Sequence, residues 1–167
     1  MISMNASTLA AIQSQFPSVS ESDFRQQSRV IASVTDSPRI FQFLKEDLGF
    51  DLLVDITCVD YLNFRQAEHR FGLAYLLAKS DSGERLTIRL MLDEPHLNVS
   101  SVVFLWQAAN WLEREIWDMF GIRFDGHPDL RRILLPDEFT AHPLRKDYPL
   151  QGRGERHNFP VITRGEA

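Results

Sequence analysis

Cysteine is almost absent: Cys58 is the only one among 167 residues. A disulfide scaffold is therefore excluded, and so is an iron–sulfur cluster held by this chain alone, because such clusters need several thiolates. Long apolar runs are missing too. A membrane-spanning helix takes about 18 or more consecutive apolar residues, and the best run here, Gly72 to Ala78, is far shorter. The N-terminal stretch MISMNASTLAAIQSQFP has no basic segment followed by an apolar one and no Arg-rich amphipathic pattern. Neither a secretory nor a mitochondrial address is expected, which leaves the cytoplasm as the default.

Signatures of catalysis and nucleotide binding are also lacking. There is no G-x-G-x-x-G after a strand and no G-x-x-x-x-G-K-[ST]. Gly152-Arg153-Gly154 falls in an irregular stretch and reads as a flexible turn, so NAD, flavin and ATP are not expected on this chain. No G-x-S-x-G elbow occurs, and Cys58 lies in an apolar strand, where a thiol is usually buried and inert. Five histidines are present (His69, His96, His127, His142, His157), without paired cysteines or an H-E-x-x-H helix to make a metal site. A carboxylate-rich site from Glu113, Glu115, Asp118 and His127 is conceivable, but charged helix faces are normally solvated or paired. Positive charge is in deficit, with 18 Lys and Arg against 23 Asp and Glu. Nucleic-acid binding through Arg131-Arg132 and Arg145-Lys146 is disfavoured by that balance and by the adjacent Asp129, Asp137 and Asp147.

What is present is a composition of 44% hydrophobic and 25% charged residues, on a chain long enough to bury roughly 70% of its unfolded surface. Five of the 8 prolines and five of the 8 glycines fall in residues 121–167, so regular structure cannot run far there. Residues 1–120 read as alternating elements. A helix over Thr8 to Gln15 is stopped by Pro17. Ser28 to Val34 reads as a strand. A helix from Pro38 to Leu48 has Asp36 or Ser37 as N-cap, Pro38 near N1 and Gly49 after its end. Leu52 to Asp60 is β-branched and apolar, and favours a strand. Two alternating runs, Arg70 to Leu77 and Leu86 to Leu92, flank Asp81-Ser82-Gly83 as a hairpin. A long helix is expected from Ser100 or Ser101 to Phe120, ended by Gly121, with Leu105, Ala109, Leu112, Ile116 and Met119 recurring at helical spacing.

The pattern predicts an α+β fold: a two-layer domain over residues 1–120, with a mostly antiparallel or mixed sheet packed by helices. Within it, about 1–25 forms an N-terminal extension. Residues 121–167 follow as an extended, irregular, partner-binding arm. In that arm, His127-Pro128-Asp129-Leu130-Arg131-Arg132 is echoed by His142-Pro143-Leu144-Arg145-Lys146, each proline favouring extended backbone before it. Arg114 and Asp118 are i,i+4 neighbours able to pair. Glu113, Glu115 and Asp118 are candidate acceptors for the arm's arginines, as are acidic groups of a neighbouring protein. The arm also carries Ile133, Leu134, Leu135, Phe139, Leu144, Tyr148 and Leu150, too apolar for a solvated tail. It is expected to be ordered by lying on another protein, and only from about Gly152 onward does the composition read as a disordered tail.

At these residues the sequence resembles the 30-kDa subunit family of NADH:quinone oxidoreductase, respiratory complex I. One family pattern is filled by Glu113-Arg114-Glu115, Asp118, Met119-Phe120, His127, Arg131 and Ile133-Leu134. A second, H-P-L-R-K-D-Y-P, stands intact from His142 through Pro143, Leu144, Arg145, Lys146, Asp147 and Tyr148 to Pro149. The resemblance implies a cofactor-free structural subunit, with no catalytic residue, in the peripheral arm of the complex. That complex as a whole carries FMN, Fe–S clusters and quinone. The implied partners are the 49-kDa subunit and neighbouring Fe–S subunits, and the implied place is the cytoplasmic side of the bacterial inner membrane. The motif residues, with Arg132, would form the partner interface. An equivalent subunit of a membrane-bound hydrogenase or formate hydrogenlyase, or a free-standing enzyme using His127, His142 and the helix carboxylates, are the alternatives.

Overall fold

A computed structural model describes residues 5–24 and 27–154. The stretch from 155 on, where most of the tail-like composition lies, is outside the described residues. A helix, α1 (Ala6–Gln15), leads into a polar strand β1 (Ser20–Phe24) and then β2 (Gln27–Ala32). Helix α2 (Ser37–Glu46) precedes three long strands, β3 (Leu52–Asp60), β4 (Phe71–Ala78) and β5 (Arg85–Leu92). A short β6 (Asn98–Ser100), the helix α3 (Ala109–Phe120) and a short β7 (Arg123–Asp125) complete the set. The five longer strands form one sheet in the order β1-β2-β5-β4-β3, and β6 and β7 pair separately. Every neighbour in the main sheet is antiparallel except β2 with β5, so the sheet is mixed.

Alternation along the central strands sets the layers. Phe71, Leu73, Tyr75 and Leu77 of β4 lie beside Leu92, Leu90, Ile88 and Leu86 of β5, and all eight are buried. On the far side of β4, Ile56 and Cys58 of β3 join the same face through their register with Tyr75 and Leu73. Helix α2 covers this face with Ile40, Phe41 and Leu44, which share one helical side and are fully buried. The Phe41 ring meets Tyr75 at 4.5 Å, and Trp106 donates its indole N–H to the Phe50 carbonyl at 3.1 Å. Pro38 starts α2 as expected, and after the helix the chain turns at Gly49, with φ of +75°.

Three differences from the sequence expectation have physical causes. The last long helix begins at Ala109, not near Ser101. The segment before it winds in a tight turn, in which Leu105 and Trp106 both donate to the Val102 carbonyl, while Ser101 points its hydroxyl at Glu113 rather than capping a helix. Residues 6–24 pack into the domain, since Ile12, Phe16 and Val19 belong to the buried core. β6 and β7 are only three residues each and are held by long-range pairing, so no local alternation announces them.

Removing the aromatic contact at the centre of this core should be costly. Phe41→Ala is expected to lower unfolding free energy by about 3–5 kcal/mol, read from urea denaturation, with little change in the slope against denaturant.

Candidate docking surface around helix α3

Helix α3 carries four charges, and the structure sends them in different directions. Glu113, Arg114 and Asp118 are buried, whereas Glu115 is exposed and pairs with no cation among the described residues. Asp118 is the hub. Its Oδ2 accepts N–H bonds from Ile133, Leu134 and Leu135 at 3.1, 2.8 and 3.0 Å, and its Oδ1 takes the Arg132 guanidinium at 2.5 Å. Arg114 does not pair with Asp118. It donates instead to the carbonyls of Arg131 and Arg132 at 3.2 and 3.0 Å, with its guanidinium 5.2 Å from the Trp111 ring centre. The i,i+4 relation is thus used to grip one stretch of the arm from both sides, through backbone N–H groups and backbone carbonyls. Burial opposes ionisation of Asp118 most strongly, but the three N–H donors and Arg132 outweigh it and hold the carboxyl below its ordinary range.

Glu113 faces the other way. It accepts the Ser101 hydroxyl and the Val102 N–H, both at 2.7 Å, and so fixes the turn that leads into α3. Burial pushes its pKa up to about 7, against the pull of those two donors. The expectation that Glu113 and Glu115 receive arm arginines is not met. Asp118 alone takes that part, because Glu113 lies inside the domain and Glu115 in solvent.

The end of α3 is closed by the second motif. The His142 ring contacts the Asp118 carbonyl through Nδ1 at 3.0 Å, and the Leu144 N–H donates to the Met119 carbonyl at 3.1 Å. Gly121, at φ +80°, makes room for that ring: a Cβ there would stand 2.7 Å from His142 Cδ2. Burial, the largest influence on His142, lowers its pKa and favours the neutral ring. Arg132 also donates to the Ala141 carbonyl at 3.3 Å, and its guanidinium lies 5.6 Å from the Trp117 ring centre and 5.9 Å from that of Phe139. His127 accepts the Asp129 N–H on Nδ1, which leaves Nε2 to donate to the Asn110 carbonyl at 3.2 Å. Among the described residues Arg131 pairs only with the neighbouring Asp129, and both are exposed.

Farther along, the arm docks on the end of the sheet. The Lys146 N–H donates to Asp60 at 2.8 Å, while its own side chain is left outside. Arg145 pairs with Glu94 and, at 3.3 Å, with Asp147. Arg70 reaches Asp147 at 2.7 Å, Glu94 at 2.8 Å and Asp60 at 3.6 Å, and the guanidinium groups of Arg70 and Arg145 lie near the Phe71 ring. Sequence does not single out Asp60, Arg70 or Glu94, since each stands alone at the end of a strand or in a loop far from the motif. Pro143 and Tyr148 are half-buried, with the Tyr148 ring 6.0 Å from Phe139.

The arm, expected to take its shape from a neighbour, is anchored on this chain's own helix and sheet. The reason is that Asp118, Arg114, Asp60 and Arg70 satisfy its backbone and its arginines internally. Among the large apolar side chains left outside are Trp111, 62% exposed, Leu134, 62%, Leu144, 50%, and Leu150, which lies fully in solvent; Glu115, Arg131 and Lys146 are exposed as well. Among the described residues no three His, Cys, Asp or Glu side chains are gathered as metal ligands. His142 meets Asp118 through its main-chain carbonyl.

Two outcomes follow from the buried carboxylates. Asp118→Asn should leave Arg132 without its counter-charge and loosen the arm, at a cost of about 3–5 kcal/mol, with tryptic cleavage at Arg131 and Arg132 accelerating before the domain unfolds. Glu113, with a raised pKa, acts in the opposite sense to Asp118. Between the unfolded value near 4.5 and the folded value of about 7 the folded chain binds more protons. Stability should therefore fall by roughly 3 kcal/mol as pH rises through that window and level off above it. Glu113→Gln should flatten this slope in a series of melts from pH 5 to 8.

Against known proteins, the family described as "Respiratory-chain NADH dehydrogenase, 30 Kd subunit" matches residues 30–154. Among similar sequences, the C subunit of NADH-quinone oxidoreductase from Geobacter metallireducens is 44% identical over 132 residues, covering 79% of this chain and 80% of that one. The protein of the same name from Trichlorobacter lovleyi is 48% identical over 119 residues, covering 71% and 72%. Among solved structures, a trypsin-resistant fragment (1–134) of Nqo5 superposes with a TM-score of 0.68 at 30% identity, covering 74% of this chain and 97% of that one. A chain of the archaeal membrane-bound sulfane sulfur reductase shares the fold, with a TM-score of 0.71 at 22% identity and coverage of 95% and 92%. Sheet, motif and these relatives agree, and the chain belongs to the 30-kDa subunit family of respiratory-chain NADH dehydrogenase, the family of the bacterial NADH-quinone oxidoreductase proteins it matches.

Proposed function

We propose that this chain is a structural subunit of the peripheral arm of proton-translocating NADH:quinone oxidoreductase, on the cytoplasmic side of the membrane. It holds no redox group of its own and keeps the Fe–S and quinone-site subunits in fixed relative positions. The 49-kDa subunit and its Fe–S-bearing neighbours are the partners in this reading. FMN, Fe–S clusters and quinone belong to the rest of the complex. Electron transfer between separate centres depends on their spacing, so a protein that fixes spacing contributes to the reaction without touching it.

The observation that carries the reading is where the motif's charges go. Arg114, Asp118, Arg132 and Arg145 are spent inward, on the arm and the sheet end, which leaves a rigid outer surface whose conspicuous side chains are Trp111, Leu134 and Leu144. Exposed aromatic and aliphatic anchors on a preorganised backbone are what a stable contact between subunits uses. The single thiol supports the same reading, since burial first, and Asp60 next, push Cys58 up to about 12 and keep it a poor metal ligand or nucleophile. The hydrogenase alternative is not favoured, because the relatives above carry the quinone-oxidoreductase name.

The test is assembly. In cells lacking the native chain, Leu144→Asp is expected to leave the melting point of the isolated protein nearly unchanged, as befits an exposed site. The same variant should reduce recovery of the chain with the membrane complex, and NADH-dependent quinone reduction, by about tenfold or more. Recovery and activity equal to wild type would show that this surface is not a contact.

A further inference from the structure

Helix α2 covers the face of the main sheet that carries Tyr75 and Ile88, and the opposite face holds a cleft. Cross-strand register puts Ser20, Ile31, Arg89, Ala74 and Thr57 in one row on that second face, with Met91, Gly72 and Val59 in the next. The loop from Tyr61 to His69 borders these rows. Between loop and sheet lies a space of about 440 Å³, with Ile31, Met91, Phe64 and Ala67 among its walls. Arg89 and Tyr61 line it together, the guanidinium donating to the phenol oxygen. Gly72 lets this pair come close to the strand, since a Cβ there would stand 2.9 Å from Tyr61 Cε2 and 3.1 Å from Arg89 Nη2.

Both groups keep donors that nothing receives. Arg70, Arg114, Arg132 and Arg145 are spent on carboxylates or carbonyls, but half-buried Arg89 meets neither among the described residues. Its hydrogen-bond partner is the Tyr61 oxygen, which accepts and so has its own proton left to donate. Glu68, the one carboxylate lining the cleft, forms no ion pair with Arg89, and His69 is taken by Asp93. A guanidinium and a phenol proton directed into one cleft make a receptor for an acceptor, and a planar carboxylate matches the guanidinium fork. The surroundings show where that carboxylate comes from. A small-molecule site commonly encloses roughly 70–90% of its ligand, whereas Phe64 in this wall is 66% exposed and Val59 in the adjoining row 43%. Sheet faces left to water are normally polar, yet this one also presents Ile31, Leu76 and Met91, each half-buried. An open cleft with an apolar surround and an unspent guanidinium fits a protein surface. We propose that the cleft of Tyr61 and Arg89 receives an Asp or Glu side chain of a partner subunit, presented among apolar residues that cover Phe64 and Val59. This rests on the reading of the chain as a subunit of a larger complex.

Modification of arginine by phenylglyoxal, on the isolated full chain and on the purified complex, tests the site without any substitution. Arg89 should react at least about tenfold more slowly in the complex. Arg89→Gln keeps an N–H for Tyr61 but removes the charge, and should cut recovery of the chain with the complex by about tenfold. Arg89→Lys places an amine at the same point, which a water-soluble carbodiimide should join by an amide bond to an Asp or Glu of another subunit, identified by mass spectrometry. If either variant does not fold, the wild-type comparison decides. Equal reactivity of Arg89 in both states overturns the proposal and leaves the subunit reading standing, as does recovery of Arg89→Gln at the wild-type level. A link to Glu68 or to residues after 154 gives the acceptor to this chain itself and also overturns it. Protection of Arg89 in the isolated chain by acetate, with none in the complex, would assign the cleft to a free carboxylate instead. A chain that never enters the complex overturns both readings.

Discussion

A single buried carboxylate organises the irregular third of this protein. Asp118 sits in the last turn of α3, where it collects three consecutive backbone N–H groups and one guanidinium. Each of those N–H groups would otherwise lie unpaired in a loop with no helix or strand to satisfy it, and a buried polar group without a partner costs about 1–3 kcal/mol. An uncompensated carboxylate in the same place would cost more still. Carboxylate and loop are therefore tenable only together, which is why a segment without regular structure adopts one course across the domain.

The rest of the arm is built on the same logic. Helix α3 ends with carbonyls that have no intrahelical partner, and the chain returns from a distant part of the sequence to cover them with His142 and the Leu144 N–H. Gly121 is the point at which this works sterically, since both the left-handed turn and the approach of the imidazole need a residue without Cβ. On the sheet, Asp60 receives the Lys146 N–H while Arg70 and Arg145 share Glu94 and Asp147. In these pairs the guanidinium groups are largely withdrawn from water while Glu94 and Asp147 stay exposed, whereas both partners of the Arg131–Asp129 pair are exposed.

The regular elements are legible wherever a local pattern exists. The β4–β5 hairpin announces itself through strict alternation, and α2 through Pro38, Gly49 and its apolar face. β1 escapes a reading of the sequence because Ser20 to Phe24 is polar and earns its place by pairing with β2. The start of α3 is misleading because Leu105 and Trp106 continue an apparent helical spacing through what is a turn around Val102. For the site, the sequence draws attention to these residues but cannot give their directions. Four charges on one helix suggest ion pairs with the arm, and only three-dimensional placement shows Glu113 serving the turn before α3, Glu115 in solvent, and Arg114 holding carbonyls rather than a carboxylate. Asp60, Arg70 and Glu94 are beyond reach for the same reason: their relation to the arm exists only after the sheet has formed.

The grip on residues 131–135 is made almost wholly on main-chain atoms, by Arg114 on two carbonyls and Asp118 on three amides. Any residue other than proline offers those same atoms. Substitution at Leu134, whose side chain faces outward, therefore leaves the holding bonds intact. Position 134 can accordingly exchange one side chain for another while the loop keeps its path.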